Sequence, residues 1–150
     1  MATLTVESDR VIGATPARVY AILADYRYSH PRILPKDFFK SVEIVEGGHG
    51  AGTVVRVRGR LLGLTQELQM RVAEPEPGRV LTETDMKSGL VTIFTVDSRG
   101  PAACKVSIRS IWQARAGVLG VLERLLVPRV LQRVYRDELA LLETVATAAT

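Results

Sequence analysis

Six short strand-like segments in succession, most alternating between apolar and polar residues and one, "VTIFTV", apolar on both faces and so unable to fix its own register, constrain this chain more than any other feature. They run from Phe38 to Trp112 as "SVEIVE", "TVVRVRGR", "LTQELQMRV", "RVLTETD", "LVTIFTVD" and "KVSIRSIW". A period of two is that of a strand, whose successive side chains point to opposite faces. The breaks between segments are short and turn-like: the cluster Gly47, Gly48 and Gly50, then "EPEPG", "KSG" and "RGPA". Parallel neighbours need crossovers of a dozen or more residues, so these strands form an antiparallel meander. Charged residues at alternate positions give the sheet one wet face and one buried face.

Elements of a different kind flank the meander. "TLTVESDRVIG" reads as an opening strand, and "ATPARVYAILADY" as a helix. Thr15 suits the N-cap and Pro16 the first helical position, while Val19, Ile22 and Leu23 form one apolar stripe. "DYRYSHPRILP" (Asp25 to Pro35) then carries the chain into the sheet, with Pro31 and Pro35 stopping helical growth. After Gly117 the helical period returns. At about 100° per residue, Arg129, Arg133, Arg136 and Asp137 fall on one side, opposite Val130, Leu131, Val134, Leu141, Leu142 and Val145. The same frame puts Leu119, Leu122, Leu125 and Leu126 near the arginine side. Proline inside a helix costs about 3 kcal/mol. The expectation is a short helix over 118–126, a break, and a long helix from about Pro128 to Ala146.

This order defines an α+β chain of a single domain. A curved seven-stranded antiparallel sheet wraps a long C-terminal helix, and two short helices lie between strands 1 and 2. A twisted sheet cannot close-pack along a whole helix, and the gap left between them is where small molecules bind. Composition agrees with a soluble, globular protein: 150 residues, 47% apolar and 24% charged. The single cysteine, Cys104, excludes an internal disulfide and makes a reducing, cytoplasmic setting the default expectation. The N-terminus lacks the pattern of a secretion signal, and Val118 to Val134 is too interrupted by charge to span a bilayer. Net charge is +4, but no run of four basic residues or aromatic-rich basic strand occurs, which argues against nucleic acid as a partner.

"ATPARVYAILADY" before the sheet, "EGGHGAGTVVRVR" across the first hairpin and "AEPEPGRVLTETD" at a later turn resemble the START-like (SRPBCC) superfamily. That group includes the birch-pollen allergen, lipid-transfer START domains, and the polyketide cyclase/dehydrase and lipid-transport proteins. The resemblance runs from about residue 3 to residue 145. It implies a helix-grip fold and a cavity for a hydrophobic or amphipathic molecule such as a lipid, isoprenoid or polyketide-like compound. Because the shared residues are mostly scaffold, it implies no particular catalytic residue.

Motifs exclude several chemistries. His30, His49 and Cys104 make no short metal-ligand pair, and no cofactor or metal is expected. "GGHGAG" joins two strands rather than a strand and a helix, so it reads as a turn with positive φ angles, not a phosphate cradle. No nucleophile elbow exists, and Cys104 reads as an inert core residue. Candidates for ligand contact are therefore inward positions. Gln66 shares parity with Leu64, Leu68 and Met70, and a buried amide must find a protein group, a water or a ligand. Ser110 shares parity with Val106, Ile108 and Trp112. Met70, Phe94 and Trp112 read as apolar wall, and Tyr135 on the C-terminal helix completes the set with His30.

Proton transfer has two candidates, His30 and Glu83. His30 is read first as packing, at the cavity mouth, with ligand contact or base chemistry as the alternative. In "RVLTETD" the favoured register turns Val80, Thr82 and Thr84 inward and leaves Glu83 and Asp85 in solvent. The opposite register makes Glu83 a buried carboxylate and a candidate acid or base. Three functions follow in order: carriage of a hydrophobic molecule, cyclase, aromatase or dehydrase chemistry, and a protein- or membrane-interaction surface on the 118–126 leucines.

Overall fold

The computed structural model describes residues 2–148 and contains the expected meander. β1 (Thr3–Ile12) leads into α1 (Pro16–Ala24) and a single 3-10 turn (His30–Ile33). Six strands follow: β2 (Phe39–Glu46), β3 (Val54–Leu61), β4 (Leu64–Glu76), β5 (Val80–Asp85), β6 (Val91–Ser98) and β7 (Cys104–Gln113). The chain then forms α2 (Gly117–Thr147). Every pairing is antiparallel, in the order β1-β7-β6-β5-β4-β3-β2. β1 thus joins the last strand, from Thr3 opposite Gln113 to Ile12 opposite Cys104. This is the helix-grip arrangement. Of the two short helices expected between β1 and β2, the second is only the 3-10 turn.

Local chemistry explains how α1 begins and what its end supports. The Thr15 hydroxyl accepts the Arg18 N–H at 3.2 Å, capping the helix that Pro16 opens. At its end the Asp25 carboxylate accepts the N–H groups of Arg27, Tyr28 and Ser29 and the Ser29 hydroxyl. The glycine-rich turn between β2 and β3 docks there: Tyr26 N–H donates to the Gly48 carbonyl and Gly50 N–H to the Ala24 carbonyl, both at 2.9 Å. Gly48 sits at φ 146°, where a Cβ would lie 2.5 Å from Arg27 Nε, so only glycine allows this approach.

α2 runs unbroken through Pro128, against the expected break. Proline removes only its own N–H from the ladder. What suggested a rotated apolar face was the assumption that all the leucines pack on the core. They do not: Leu119, Leu122 and Leu126 face an open cavity, and Val118, Val121 and Leu125 remain exposed. The cavity lining includes Leu119, Leu122 and Leu126 before Pro128 and Leu131, Tyr135 and Glu138 after it, so the wide open space accepts residues from both phases of the helix. The core lies around the later half of the helix, where Leu139 and Leu142 are buried in one cluster with Ile108, Phe94, Leu81, Leu23 and Ile33. Arg18 ties this end down, donating from Nε to the Ala146 carbonyl at 2.6 Å and so satisfying an orphan helix-terminal group.

The outer sheet face is wet, as alternation requires. Arg56 pairs with Glu43 at 3.2 Å and Arg58 with Glu67 at 3.0 Å across neighbouring strands. Such exposed pairs contribute little stability but neutralise the arginines locally. No helix among the described residues is long and apolar enough to cross a membrane.

Candidate ligand cavity

Between the concave sheet and α2 lies a cavity of about 630 Å³. Its walls are apolar: Val55 and Val57 of β3, Leu68 and Met70 of β4, Phe94 of β6, Trp112 of β7, and Val127 and Leu131 of α2. The mouth is formed by Leu62 and Leu64 at the β3–β4 turn and by Leu119, Leu122 and Leu126, all exposed. Gln66 lines the same open end and is exposed. The argument from a buried amide therefore does not apply to it, because β4 enters the core only from about Met70 onward.

The inner end is polar. Tyr26, His30, Glu83, Tyr135 and Glu138 all line it and come from four different parts of the chain. The Tyr26 hydroxyl donates to Glu83 Oε2 at 2.6 Å. Burial first, and then the charge of Glu83, push the Tyr26 phenol well above its usual range, so it stays protonated and keeps donating. His30 Nδ1 lies 2.7 Å from the Leu23 carbonyl, which only accepts, so Nδ1 carries a proton. That bond aims Nε2 at Glu83 Oε2, 3.6 Å away. The imidazole also stacks on Tyr26, with centroids 4.4 Å apart, and meets Phe94 edge-on at 5.7 Å.

His30 is therefore buried at the inner end, not placed at the mouth. The partner that orients its ring is a backbone carbonyl, which no sequence motif reveals. The favoured register of β5 is also reversed: Leu81, Glu83 and Asp85 turn inward, while Val80, Thr82 and Thr84 lie on the other face. Cross-strand pairing decides this. Glu83 stands opposite Val72 and Leu81 opposite Phe94, and directly paired residues share a face.

The two inward acids of β5 have different fates. Burial alone would raise Asp85, but hydrogen bonds from Ser88 and from the Gln69 N–H outweigh it and hold its carboxyl below the usual range. Asp85 is thus spent on building the β5–β6 turn. Ser110 is fully buried but does not line the cavity. Its hydroxyl bonds Thr92 Oγ1 at 2.6 Å and the Tyr135 hydroxyl, so it holds the tyrosine from behind. Burial pushes the Tyr135 phenol up to about 12. Met70, Phe94, Trp112 and Tyr135 line the cavity, while Cys104 is buried in the core with its thiol raised by burial.

Glu138 escaped the sequence reading. It follows Tyr135 by three residues and precedes Leu142 by four, so it is a lone carboxyl on the inward stripe of α2. It is only 3% exposed and lines the cavity. No His, Cys, Asp and Glu cluster among the described residues is arranged to hold a metal ion.

Fold and cavity together define a START-like helix-grip protein. The chain belongs to the family described as polyketide cyclase / dehydrase and lipid transport, whose pattern it matches over residues 3–147. A comparison with curated protein sequences found no match. Among solved structures it is similar to KanY protein (ms6282), with a TM-score of 0.85 and 28% identity over 99% of this chain and 100% of that one. It is also similar to the Zhui aromatase/cyclase from Streptomyces sp. R1128, with a TM-score of 0.79 and 19% identity over 97% and 94% of the two chains. Norcoclaurine synthase from Thalictrum flavum, in complex with dopamine and hydroxybenzaldehyde, aligns with a TM-score of 0.73 and 13% identity over 99% and 90%. The last two likenesses, at such identities, speak for the fold alone.

Proposed function

We propose that this protein binds or carries an amphipathic small molecule, with its apolar body between sheet and α2 and its polar end at the Tyr26–His30–Glu83–Glu138 cluster. One observation carries the reading: a long apolar cavity that is open at one end and polar at the other. Burial of about 400 Å² of ligand surface at 25 cal/mol per Å² contributes about 10 kcal/mol, from which association costs remove several, leaving micromolar affinity. The test is titration with an apolar fluorescent probe, alongside native mass spectrometry of protein purified from its own cells. Leu131→Trp, which fills the cavity from α2, is expected to weaken probe binding at least tenfold while the fold persists. Undiminished binding to this variant would place the probe elsewhere and sink the reading.

A second reading, cyclase, aromatase or dehydrase chemistry on a polyketide-like substrate, draws on the oriented His30 beside Glu83. A base that abstracts a proton next to a carbonyl needs a fixed ring and a nearby carboxylate, and this pair has both. The family description lends support. Turnover of a poly-β-ketone thioester, abolished in both His30→Gln and Glu83→Gln with probe binding retained, is the expected result. Equal rates in the variants would leave carriage alone.

A further inference from the structure

Every polar side chain at the inner end has a protein partner except one. Tyr26 and His30 are engaged with Glu83 and with the Leu23 carbonyl, and Tyr135 is held by Ser110. Glu138 lines the same space, is 97% buried by its 3% exposure, and takes no hydrogen bond from the described residues. Among the described residues, no lysine or arginine pairs with it. The one arginine on the lining, Arg115, is exposed beside the mouth and pairs with Glu123.

An unpaired carboxylate in such a place is costly, and a second carboxylate nearby makes it more so. The groups that face Glu138 are Glu83 of β5, Tyr26 after α1, His30 of the 3-10 turn and Tyr135 on its own helix. β1, which also packs on α2, turns Leu4, Val6, Ser8 and Ile12 inward, and its one cation directed at α2, Arg10, is exposed and pairs with Glu143 at 2.8 Å. The His30 imidazole turns its Nε2 toward Glu83. The same balance pushes the Glu138 carboxyl well above the usual carboxylate range, through burial first and the charge of Glu83 second.

We infer that Glu138, the one polar side chain at the inner end without a protein partner among the described residues, is the specificity-determining residue of the cavity and, as a carboxylic acid, donates its O–H to a carbonyl oxygen of an uncharged ligand. The inference rests on the ligand-binding reading and deepens it. Of the two acids, Glu83 is already engaged by the Tyr26 hydroxyl and faces His30 Nε2, and Glu138 offers a group that the protein leaves unused. A ligand carboxylate brought to this end would meet Glu83 without a free cation to receive it. A ligand ammonium could pair with Glu138 only once that carboxyl had lost its proton. A neutral carbonyl needs neither.

The experiment is displacement of the bound fluorescent probe by three ligands of matched length: methyl decyl ketone, dodecanoate and dodecylamine. At neutral pH the ketone is expected to bind at least tenfold more tightly than dodecanoate. Its affinity should fall as pH rises through the elevated titration of Glu138, because the donor is then lost. Glu138→Gln retains an N–H donor, so it should keep ketone binding and lose that pH dependence; Glu138→Leu should lose about tenfold. Infrared difference spectra between wild type and Glu138→Gln give an independent view, with a protonated-carboxyl band expected at neutral pH. Absence of that band, equal binding of dodecanoate, or preference for dodecylamine with affinity rising with pH would each overturn the assignment. Failure of all three ligands to bind would overturn the ligand-binding reading as well, whereas binding without ketone preference overturns only the role of Glu138.

Discussion

At the residue scale, the titrating groups of this protein pull stability in two directions. Asp25 and Asp85 have folded-state carboxyls held below their ordinary value: hydrogen bonds, those from Ser29 and Ser88 foremost, outweigh the effect of burial. Their contribution is present above the unfolded value and lost as pH falls through the folded one. Glu138 has the opposite sign. Its folded-state titration is raised, so the native state binds the extra proton, and stability falls as pH rises from the unfolded value of 4.5 toward the folded one. One proton is worth at most about 1.4 kcal/mol per pH unit. Glu138→Gln should remove that slope, so that urea denaturation at mildly acidic and at mildly alkaline pH gives closer values than in the wild type. A second single-residue effect concerns Gly120 in α2. Alanine there would normally gain about 1 kcal/mol of helix propensity. Here its Cβ would stand 1.7 Å from the Arg115 carbonyl oxygen, which is backbone and cannot swing away. Gly120→Ala is therefore expected to lower the melting temperature, by about 1–3 kcal/mol of strain.

At the scale of elements, the strands, the N-cap of α1 and the meander were legible because each is governed by local period and turn chemistry. Thr15 and Pro16 begin α1 as their residue types require, and the glycines of "EGGHGAG" take positive φ angles. β5 was misread because its two faces carry similar apolar content, and the choice between them belongs to its neighbours β4 and β6. α2 was misread for another reason. A hydrophobic stripe on a helix signals burial against something, but half of this stripe faces an open cavity, so its phase need not match the core's. The unbroken helix leaves the Arg124 carbonyl without the N–H that residue 128 would supply. Pro128→Ala restores that donor and is expected to stabilise the protein by up to about 3 kcal/mol in urea titrations, with α2 unchanged in length by circular dichroism.

For the whole molecule, the consequence is a core confined to one end of the sheet–helix sandwich and a space at the other. The later half of α2, α1 and the 3-10 turn close one end around Leu23, Ile33 and Leu139, while the leucines of the earlier half stand away from the sheet. A ligand that fills this space binds only the folded state, so at a hundred times its dissociation constant it should stabilise the protein by about 2.7 kcal/mol. A thermal-shift series against ligand concentration checks this, and a melting temperature indifferent to every apolar ligand would count against the cavity as a site. Sequence by itself determined the strand count, their antiparallel order and the wet outer face, because a period of two and short turns act between neighbours along the chain. Only tertiary structure decided that Glu83 points inward, that Asp25 to Pro35 delivers His30 to the deep end, and that Glu138 has no partner among the described residues. Those outcomes depend on residues from β5, the segment after α1, the 3-10 turn and α2 meeting in one low-dielectric space, and no local pattern records which side chains will face one another there.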